Sequence, residues 1–315
     1  MTSLFKDRIE ASVILGAVAV ALLFTIATKG LWLQNLPSLL ILTAGVGIVA
    51  IGQAVLMTSG EVDLSVGSVY AFSGVGFIWF MGQTGDVALA AILAIAVASL
   101  IGALNGALTT WFHVPSMIVT MGGMFVYRGC VYLMTTGHSL STPRPLRDSA
   151  VIEMLGGRTA GVSHSILILL VVMAAAVFML ARTRLGNHIF SVGGEPQSAA
   201  ANGISPARVK IIAFSLCSSL AALAAVVAVC REGTIYATSG KLMELETIAA
   251  AVIGGCTLRG GIGSAWGAVL GVFVLSSLKG GLMMMGAPTS WYVAFVGLIL
   301  IGFLVSSRLV NGRLN

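Results

Sequence analysis

The chain has 315 residues and a net charge of +6, yet only 9% of its residues are charged and 57% are hydrophobic. Soluble domains carry about 25% charged residues, so this composition excludes an ordinary soluble enzyme or binding domain. The basic residues are dispersed at the ends of apolar segments, which does not favour a nucleic-acid partner. Because one membrane crossing needs about 20 apolar residues, the sequence predicts an all-α polytopic membrane protein with about ten transmembrane helices embedded in lipid.

The predicted spans follow one another with short polar connections, and their boundaries carry errors of several residues. No connection is long enough for a second folded unit, so we expect a single transmembrane domain over residues 1–315. In chain order the spans cover residues 11–28, 38–58, a third ending at about 81, 87–110, a fifth ending at about 136, 163–181, 211–230, about 244–257, 264–285 and 290–307.

Ten spans would place both termini on the same side of the membrane. Lys6 and Arg8 precede the first span, and Arg308 and Arg313 follow the last. The positive-inside rule then favours cytoplasmic termini by a small excess of basic residues, supported by the charges that flank the central loop. The basic start leads straight into a span-length segment and lacks a cleavable signal pattern.

The longest polar interruption of the chain lies between the sixth and seventh spans, at about residues 183–210. Its middle, residues 195–204, predicts a short helix: Pro196 suits the first helical position, the following alanines are strong helix formers, and Gly203 can end it. Such a helix is too short to be stable alone in water. We therefore predict that it docks into another protein.

The sequence lacks the common motifs for ATP binding and for hydrolytic catalysis. It has no Gly-x-x-x-x-Gly-Lys-Ser/Thr run, so we expect any ATP to be bound by a partner and no cofactor by this chain. It also lacks His-Glu-x-x-His and Gly-x-Ser-x-Gly, which leaves an intramembrane enzyme without a recognisable site. The scattered histidines and cysteines show no metal-ligand spacing, so we predict neither a metal site nor catalysis.

Polar residues beside breaks in the apolar pattern are candidates for a translocation pathway. A carboxylate at the centre of a bilayer costs roughly 2.5–3.5 kcal/mol, so acids near spans rarely face lipid. The stretch that contains Glu61 and Asp63 lies either at the cytoplasmic end of the second span or in a broken helix that lines a cavity. Asp63 also suits the N-cap position of the third span, and this capping role is compatible with a functional one. Arg128, late in the fifth span, either snorkels outward or pairs with an acid in the bundle. The pathway candidates are Asp63, Ser65, Asn105 and Glu244.

A three-residue match between the two halves of the sequence, which we call the echo, bears on the architecture. Thr58-Ser59-Gly60 precedes an acidic stretch, and so does Thr238-Ser239-Gly240. Each triplet follows the second span of a five-span half. Because an odd number of spans per half inverts the second half, the echo is compatible with two inverted five-helix halves, as in many transporters. A chance match of three letters explains it equally well.

Three collinear stretches carry a resemblance to a known family. Residues 59–68, SGEVDLSVGS, resemble the GGIDLSVGS signature of ribose-type sugar permeases in bacterial ABC importers. Residues 184–204 resemble the cytoplasmic loop of the same family. Residues 244–264 resemble the family as well, through ELETIAA at 244–250 and the glycine runs IGG at 253–255 and GGIGS at 260–264. The resemblance runs from about residue 35 to the end, and it does not specify the sugar.

Four positions depart from that family pattern. Glu61 stands where a neutral residue is frequent and places a second acid near Asp63. Glu195 stands where Asn is frequent, Gln197 where an acid is frequent, and Arg259 where the residue is usually uncharged.

The resemblance implies a permease subunit in the bacterial inner membrane. Its partners would be a second permease copy (identical or related), a pair of ABC ATPase subunits below and a periplasmic substrate-binding protein above. The helix of the central loop would lie in a groove of the ATPase. The coupling residues implied by the resemblance are Glu195, Ala199, Ala200, Gly203 and Ile204.

The alternative is a secondary transporter or channel for a small polar solute that acts alone. Acids within the membrane and inverted halves would suit it. The central loop discriminates between the two hypotheses, because a transporter that works alone has no need of a docking helix. Within the ABC class, an amino-acid importer permease is a further alternative that the Asp-Leu-Ser-Val-Gly stretch does not support.

Overall fold

The computed structural model describes the backbone of residues 2–311, and it describes side chains from residue 13 to residue 302 except at 289 and 300. The described chain is almost entirely helical. Its helices are α1 (Thr2–Ala27), α2 (Leu31–Gln34), α3 (Leu36–Thr58), α4 (Val66–Thr84), α5 (Val87–Trp111), α6 (Ser116–Thr135), α7 (Ala150–Gly156), α8 (His164–Arg182), α9 (Arg184–Gly194), α10 (Pro196–Ala201), α11 (Pro206–Glu232), α12 (Met243–Ile253), α13 (Ala265–Met284) and α14 (Thr289–Asn311).

Two small antiparallel sheets lie at one end of the bundle. In the first, β1 (Leu140–Ser141) pairs with β4 (Thr234–Ile235), which fixes the long 137–163 connection to the end of α11. In the second, β2 (Arg158–Thr159) and β3 (Val162–Ser163) form a hairpin ahead of α8. Since α8 leads away from this end and α11 leads back to it, α9 and α10 lie at the opposite end of the bundle.

Six of the described helices are long and apolar enough to cross a membrane: α3, α5, α6, α8, α11 and α13. The chain is therefore a multi-pass helical membrane protein, as predicted. Ten crossings and two inverted halves are not confirmed. The predicted eighth span is α12, whose 11 residues make a helix about 16 Å long, too short for a hydrocarbon core of about 30 Å.

Helix α11 occupies the centre of the bundle and packs against α3, α4 and α5. Its middle is rich in alanine, serine and cysteine, so its neighbours approach closely. Gly102 and Gly106 of α5 face Phe214 and Ile211 of α11, and a Cβ on either glycine would overlap that helix. Small residues at this spacing are what helix packing in lipid requires, because there the hydrophobic effect no longer holds helices together.

The predicted cytoplasmic position of both termini rests on the basic residues at the two ends and on those that flank the central loop. Lys6, Arg8, Arg308 and Arg313 lie outside the part of the chain whose side chains are described, and the fold alone does not show which side of the membrane the central loop faces, so this orientation stays a prediction.

Candidate functional site

The chain breaks between α3 and α4, at residues 59–65. Gly60 has a φ of 89°, a conformation that glycine adopts without strain, and it turns the chain out of α3. Helix α6 then holds the segment. The amide of Val62 donates to Ser116 Oγ at 3.4 Å, and the amide of Leu64 donates to Thr120 Oγ1 at 3.0 Å. Side chains of a neighbouring helix therefore satisfy amides that a regular helix would have satisfied itself.

Asp63 begins a chain of hydrogen bonds inside this break. The amide and the hydroxyl of Ser65 both donate to Asp63 Oδ1, at 2.7 and 2.6 Å. Asn105 Nδ2 of α5 donates to Ser65 Oγ at 3.2 Å, and Tyr127 Oη of α6 donates to Asn105 Oδ1 at 2.8 Å. The structure thus joins three of the four predicted pathway residues in one network, which we call the Asp63 network. Its last member, Tyr127, was not predicted.

The predicted capping role of Asp63 is wrong, because Ser65 occupies the N-cap position of α4 and the Asp63 carboxylate bonds to Ser65 alone. Asp63 is fully buried, and its second oxygen, Oδ2, has no hydrogen-bond partner among the described residues. Buried polar atoms without partners are rare in proteins, so Oδ2 is an acceptor that could bind a donor from outside the described residues.

A second break separates α11 from α12, at residues 233–242. Gly240 has a φ of 71° and Leu242 a φ of 66°, so the chain turns twice just before α12 begins. Gly240 lies against Gly67 in the first turn of α4, and a Cβ on either glycine would overlap the carbonyl oxygen of the other. The carboxylate of Glu244, the fourth predicted pathway residue, lies beside Gly67 at the same contact. The two breaks therefore touch.

Arg128 of α6 ties the two breaks together. Its Nη1 donates to the carbonyl oxygens of Ala237 and Ser239 at 3.0 and 2.8 Å, and its Nη2 donates to that of Gly67 at 3.1 Å. The carbonyls of Ala237 and Ser239 lie in the non-helical second break, so Arg128 supplies donors that a helix would otherwise provide, and its bond to Gly67 anchors that break to the first turn of α4. The prediction that Arg128 snorkels outward is wrong, since its guanidinium points into the bundle. It forms no direct salt bridge with a described residue, but it interacts electrostatically with the carboxylate of Glu244, so the predicted pairing with an acid in the bundle holds at longer range.

The central polar loop contains two helices where one was predicted. The short helix is present as α10, with Glu195 in the N-cap position and Gly203 at a φ of 80° just beyond its end. Ahead of it lies α9, which sequence reasoning missed. Buried Ile189 and Val192 on one face of α9 carry the helical spacing that could have revealed it.

The predicted coupling residues differ in what they offer to a partner. Glu195, Ala200 and Gly203 are exposed, and Ile204 is half-buried. Ala199 is 4% exposed and packs into the core of this chain. Ala199 thus seats α10 on the bundle, whereas the other four positions face outward in whole or in part.

The coupling loop contacts the first break directly. Gly193, near the end of α9, lies against the carbonyl oxygen of Thr58, the last residue of α3, and a Cβ there would overlap it. Gly261 donates its amide to the same oxygen at 2.9 Å, and Gly60 and Gly260 complete the crossing. We call Gly60, Gly193, Gly260 and Gly261 the glycine junction. It brings three backbone segments within contact distance where side chains would not fit.

The described residues contain neither a cluster for metal binding nor a pair of bonded cysteines. No group of three His, Cys, Asp or Glu side chains could hold a metal ion there. The four cysteines are free, and three of them are buried. Cys217 contacts Gln53 with 3.6 Å between Sγ and Oε1, which is packing between α11 and α3.

Comparisons with known proteins agree with this architecture. Residues 35–304 match the family described as the branched-chain amino acid transport system / permease component. The chain is 31% identical to the xylose transport system permease protein XylH of Escherichia coli K12, over 90% of this chain and 88% of that protein. It is 32% identical to the ribose import permease protein RbsC of the same strain, over 95% and 94%.

A third relative, the inner membrane ABC transporter permease protein YjfF of Escherichia coli K12, is 34% identical over 84% of this chain and 81% of its own length. No solved structure matches.

Proposed function

The chain belongs to the family of branched-chain amino acid transport system permease components, and on that premise we propose that it is the membrane subunit of an ATP-driven importer for a sugar or sugar-like solute. It is a transport subunit and not an enzyme. The observation that carries the sugar assignment is the alignment with the xylose and ribose permeases over nearly the whole of each chain.

The chemistry of the Asp63 network supports a neutral, hydroxyl-rich cargo. Its groups are a carboxylate, a hydroxyl, an amide and a phenol, all of which exchange hydrogen bonds with hydroxyl groups. The alignment with the xylose and ribose permeases favours a sugar over the amino acid that the family description suggests.

The energy would come from a separate ATPase. The sequence has no P-loop, and the exposed side of α10 offers a docking surface at one end of the bundle. To move the permease from 1:99 to 99:1 between its two conformations, the two states of the ATPase must differ by about 5.5 kcal/mol in their preference for those conformations. The docked helix must therefore be held rigidly. Seating of α10 through buried Ala199 supports such rigidity.

The remaining parts of the assembly follow from the same proposal. A periplasmic binding protein would deliver the sugar at the end that carries β1 and β4, and a second permease copy, identical or related, would complete the pathway. The chain would lie in the bacterial inner membrane with both termini in the cytoplasm. Selectivity among sugars would reside mainly in the binding protein.

Uptake by intact cells tests the cargo. Cells that lack this chain should lose uptake of one labelled pentose, hexose or polyol, and the chain supplied in trans should restore it. Labelled leucine and valine serve as controls, and their uptake should not change. Loss of leucine uptake with intact sugar uptake would overturn the sugar assignment and favour an amino-acid importer.

A further inference from the structure

An ion pair joins the exit of the coupling loop to the first break. Lys210 Nζ of α11 lies 2.5 Å from Glu61 Oε1, across 149 residues of sequence. The two side chains are only 19% and 13% exposed. A charge pair that is mostly withdrawn from water is screened less by salt than a surface pair. The geometry therefore distinguishes this pair from an incidental surface contact.

Lys210 and Glu61 lie on the two segments through which a movement of the coupling loop would reach the first break. Lys210 lies in the second turn of α11, just after the segment that contains α9 and α10. Glu61 lies two residues before Asp63, in the segment that α6 holds through the amides of Val62 and Leu64. A displacement of α11 at its start therefore acts on the same short stretch of backbone that carries the Asp63 network.

A second part of the coupling loop meets the start of the same stretch. Gly193 near the end of α9, in the middle of the loop, lies against Thr58, the residue directly before the break, through the glycine junction. The loop thus contacts the two sides of the break at two points, once by backbone packing from its middle and once by the ion pair at its exit. Backbone packing between glycines resists approach but not separation, whereas opposite charges resist separation. The two contacts together allow the break to be both pushed and pulled.

The burial of the pair gives a further reason to single it out. A carboxylate that is mostly withdrawn from water is unfavourable unless a partner compensates for it, and Lys210 supplies that compensation for Glu61.

We propose that Glu61 and Lys210 are positioning residues that transmit movement of the coupling loop to the Asp63 network. This inference rests on the proposed function, because it assumes that an ATPase moves the loop. It predicts that breaking the pair uncouples ATP hydrolysis from transport, whereas exchanging the two charges preserves the coupling.

The test uses the full complex of permease, ATPase and binding protein in proteoliposomes, with solute taken up per ATP hydrolysed as the readout. Glu61→Gln and Lys210→Gln should each lower this ratio by about fivefold or more, the scale of typical allosteric couplings. The exchange variant Glu61→Lys with Lys210→Glu should recover at least half of the wild-type ratio. The matched control is Lys279→Gln, which breaks the ion pair between Lys279 of α13 and Glu246 of α12, 3.6 Å apart and away from the coupling loop, and it should keep the wild-type ratio.

The outcomes separate the inference from the proposed function. A wild-type complex without ATP-dependent uptake would overturn the proposed function, and the inference with it. A coupled wild type whose single variants keep its ratio would overturn the inference alone. A lowered ratio that the exchange variant does not recover would also overturn it. If either glutamine variant fails to insert, Glu61→Asp and Lys210→Arg replace it and should retain the wild-type ratio.

Discussion

Gly67 and Gly240 lie in contact where the two interruptions of the helical bundle meet, and neither position has room for a Cβ atom. Gly67 belongs to the first turn of α4, and Gly240 precedes α12 by three residues. The carbonyl oxygens around this contact accept hydrogen bonds from Arg128. The contact thus locks the starts of two helices to a third helix, α6.

Adding a methyl group at this contact should damage the protein. Gly67→Ala should lower the free energy of unfolding by about 1–3 kcal/mol, the usual cost of overpacking, because the new Cβ overlaps the Gly240 carbonyl. Thermal unfolding of the purified protein in detergent measures this. The control is Gly122→Ala on α6, where nothing lies within 4 Å of the added Cβ. Equal melting temperatures for the two variants would show that the contact is not close.

Arg128→Gln should be more damaging than Arg128→Lys. Glutamine removes the charge and leaves carbonyls without donors, and hydrogen bonds to charged groups are worth about 1.5–3 kcal/mol each. Lysine keeps the charge but lacks the planar fork that reaches three carbonyls at once. Melting temperature and solute uptake should fall in the order wild type, lysine, glutamine. Exposed Arg158→Gln is the control, and a similar loss there would refute the bridging role.

Tyr127→Phe should weaken transport without preventing insertion. It removes one hydrogen bond, to Asn105 Oδ1, and a neutral bond contributes about 0.5–1.5 kcal/mol. Uptake should therefore fall about two- to tenfold if the bond acts in the transport cycle. Tyr132→Phe, at an exposed position of the same helix, should match wild type. Identical uptake by both variants would remove Tyr127 from the pathway.

Asp63→Asn tests the buried acid itself. The asparagine can keep both bonds from Ser65 through its Oδ1, but it replaces the unpartnered acceptor Oδ2 with a donor. We expect assembly to survive and uptake to fall at least tenfold, about 1.4 kcal/mol of lost interaction with the solute. Chromatographic profile and uptake are measured on the same preparation. Normal uptake by correctly assembled Asp63→Asn would exclude this carboxylate from the pathway.

Ala200→Arg should abolish ATP-driven uptake while the chain still inserts. Ala200 is exposed on α10, so this chain tolerates the arginine, and a docked ATPase does not. Gly203→Glu should have the same effect, with added strain because its φ of 80° disfavours any side chain. Asp148→Arg, exposed at the opposite end of the bundle, is the control for association with the ATPase, and it should co-purify with the ATPase as wild type does. Normal coupling in complexes that contain Ala200→Arg would refute docking through α10.

Composition and local signals predicted much of this fold. The fourth predicted span, residues 87–110, coincides with α5, which Asp86 begins by accepting a hydrogen bond from the amide of Leu89. The short helix of the central loop was recognisable from Pro196 and Gly203, because the chemistry of helix ends is local. Three pathway residues could be predicted to lie together because polar groups are scarce in an apolar bundle and must find one another.

What the sequence did not reveal depends on distant contacts. Arg128 bonds to residues 61, 109 and 111 positions away, and no local pattern specifies such partners. Tyr127 joins the Asp63 network for the same kind of reason. Helix α9 was missed because its glycines and Asn187 are poor helix formers, which concealed the buried face. Helix α12 was predicted too long because apolar composition carried the prediction past Gly254 and Gly255, where the helix ends and Gly255 takes a φ of 91°.

Reconstitution of the purified chain in proteoliposomes, with and without its ATPase, tests the central claim most directly. Labelled sugar, binding protein and ATP are present in both cases, and accumulation inside the vesicles is measured over time. The account predicts accumulation against a gradient only when the ATPase is present and ATP is hydrolysed. Accumulation or rapid equilibration by the chain alone would contradict it and establish a transporter or channel that works without a motor.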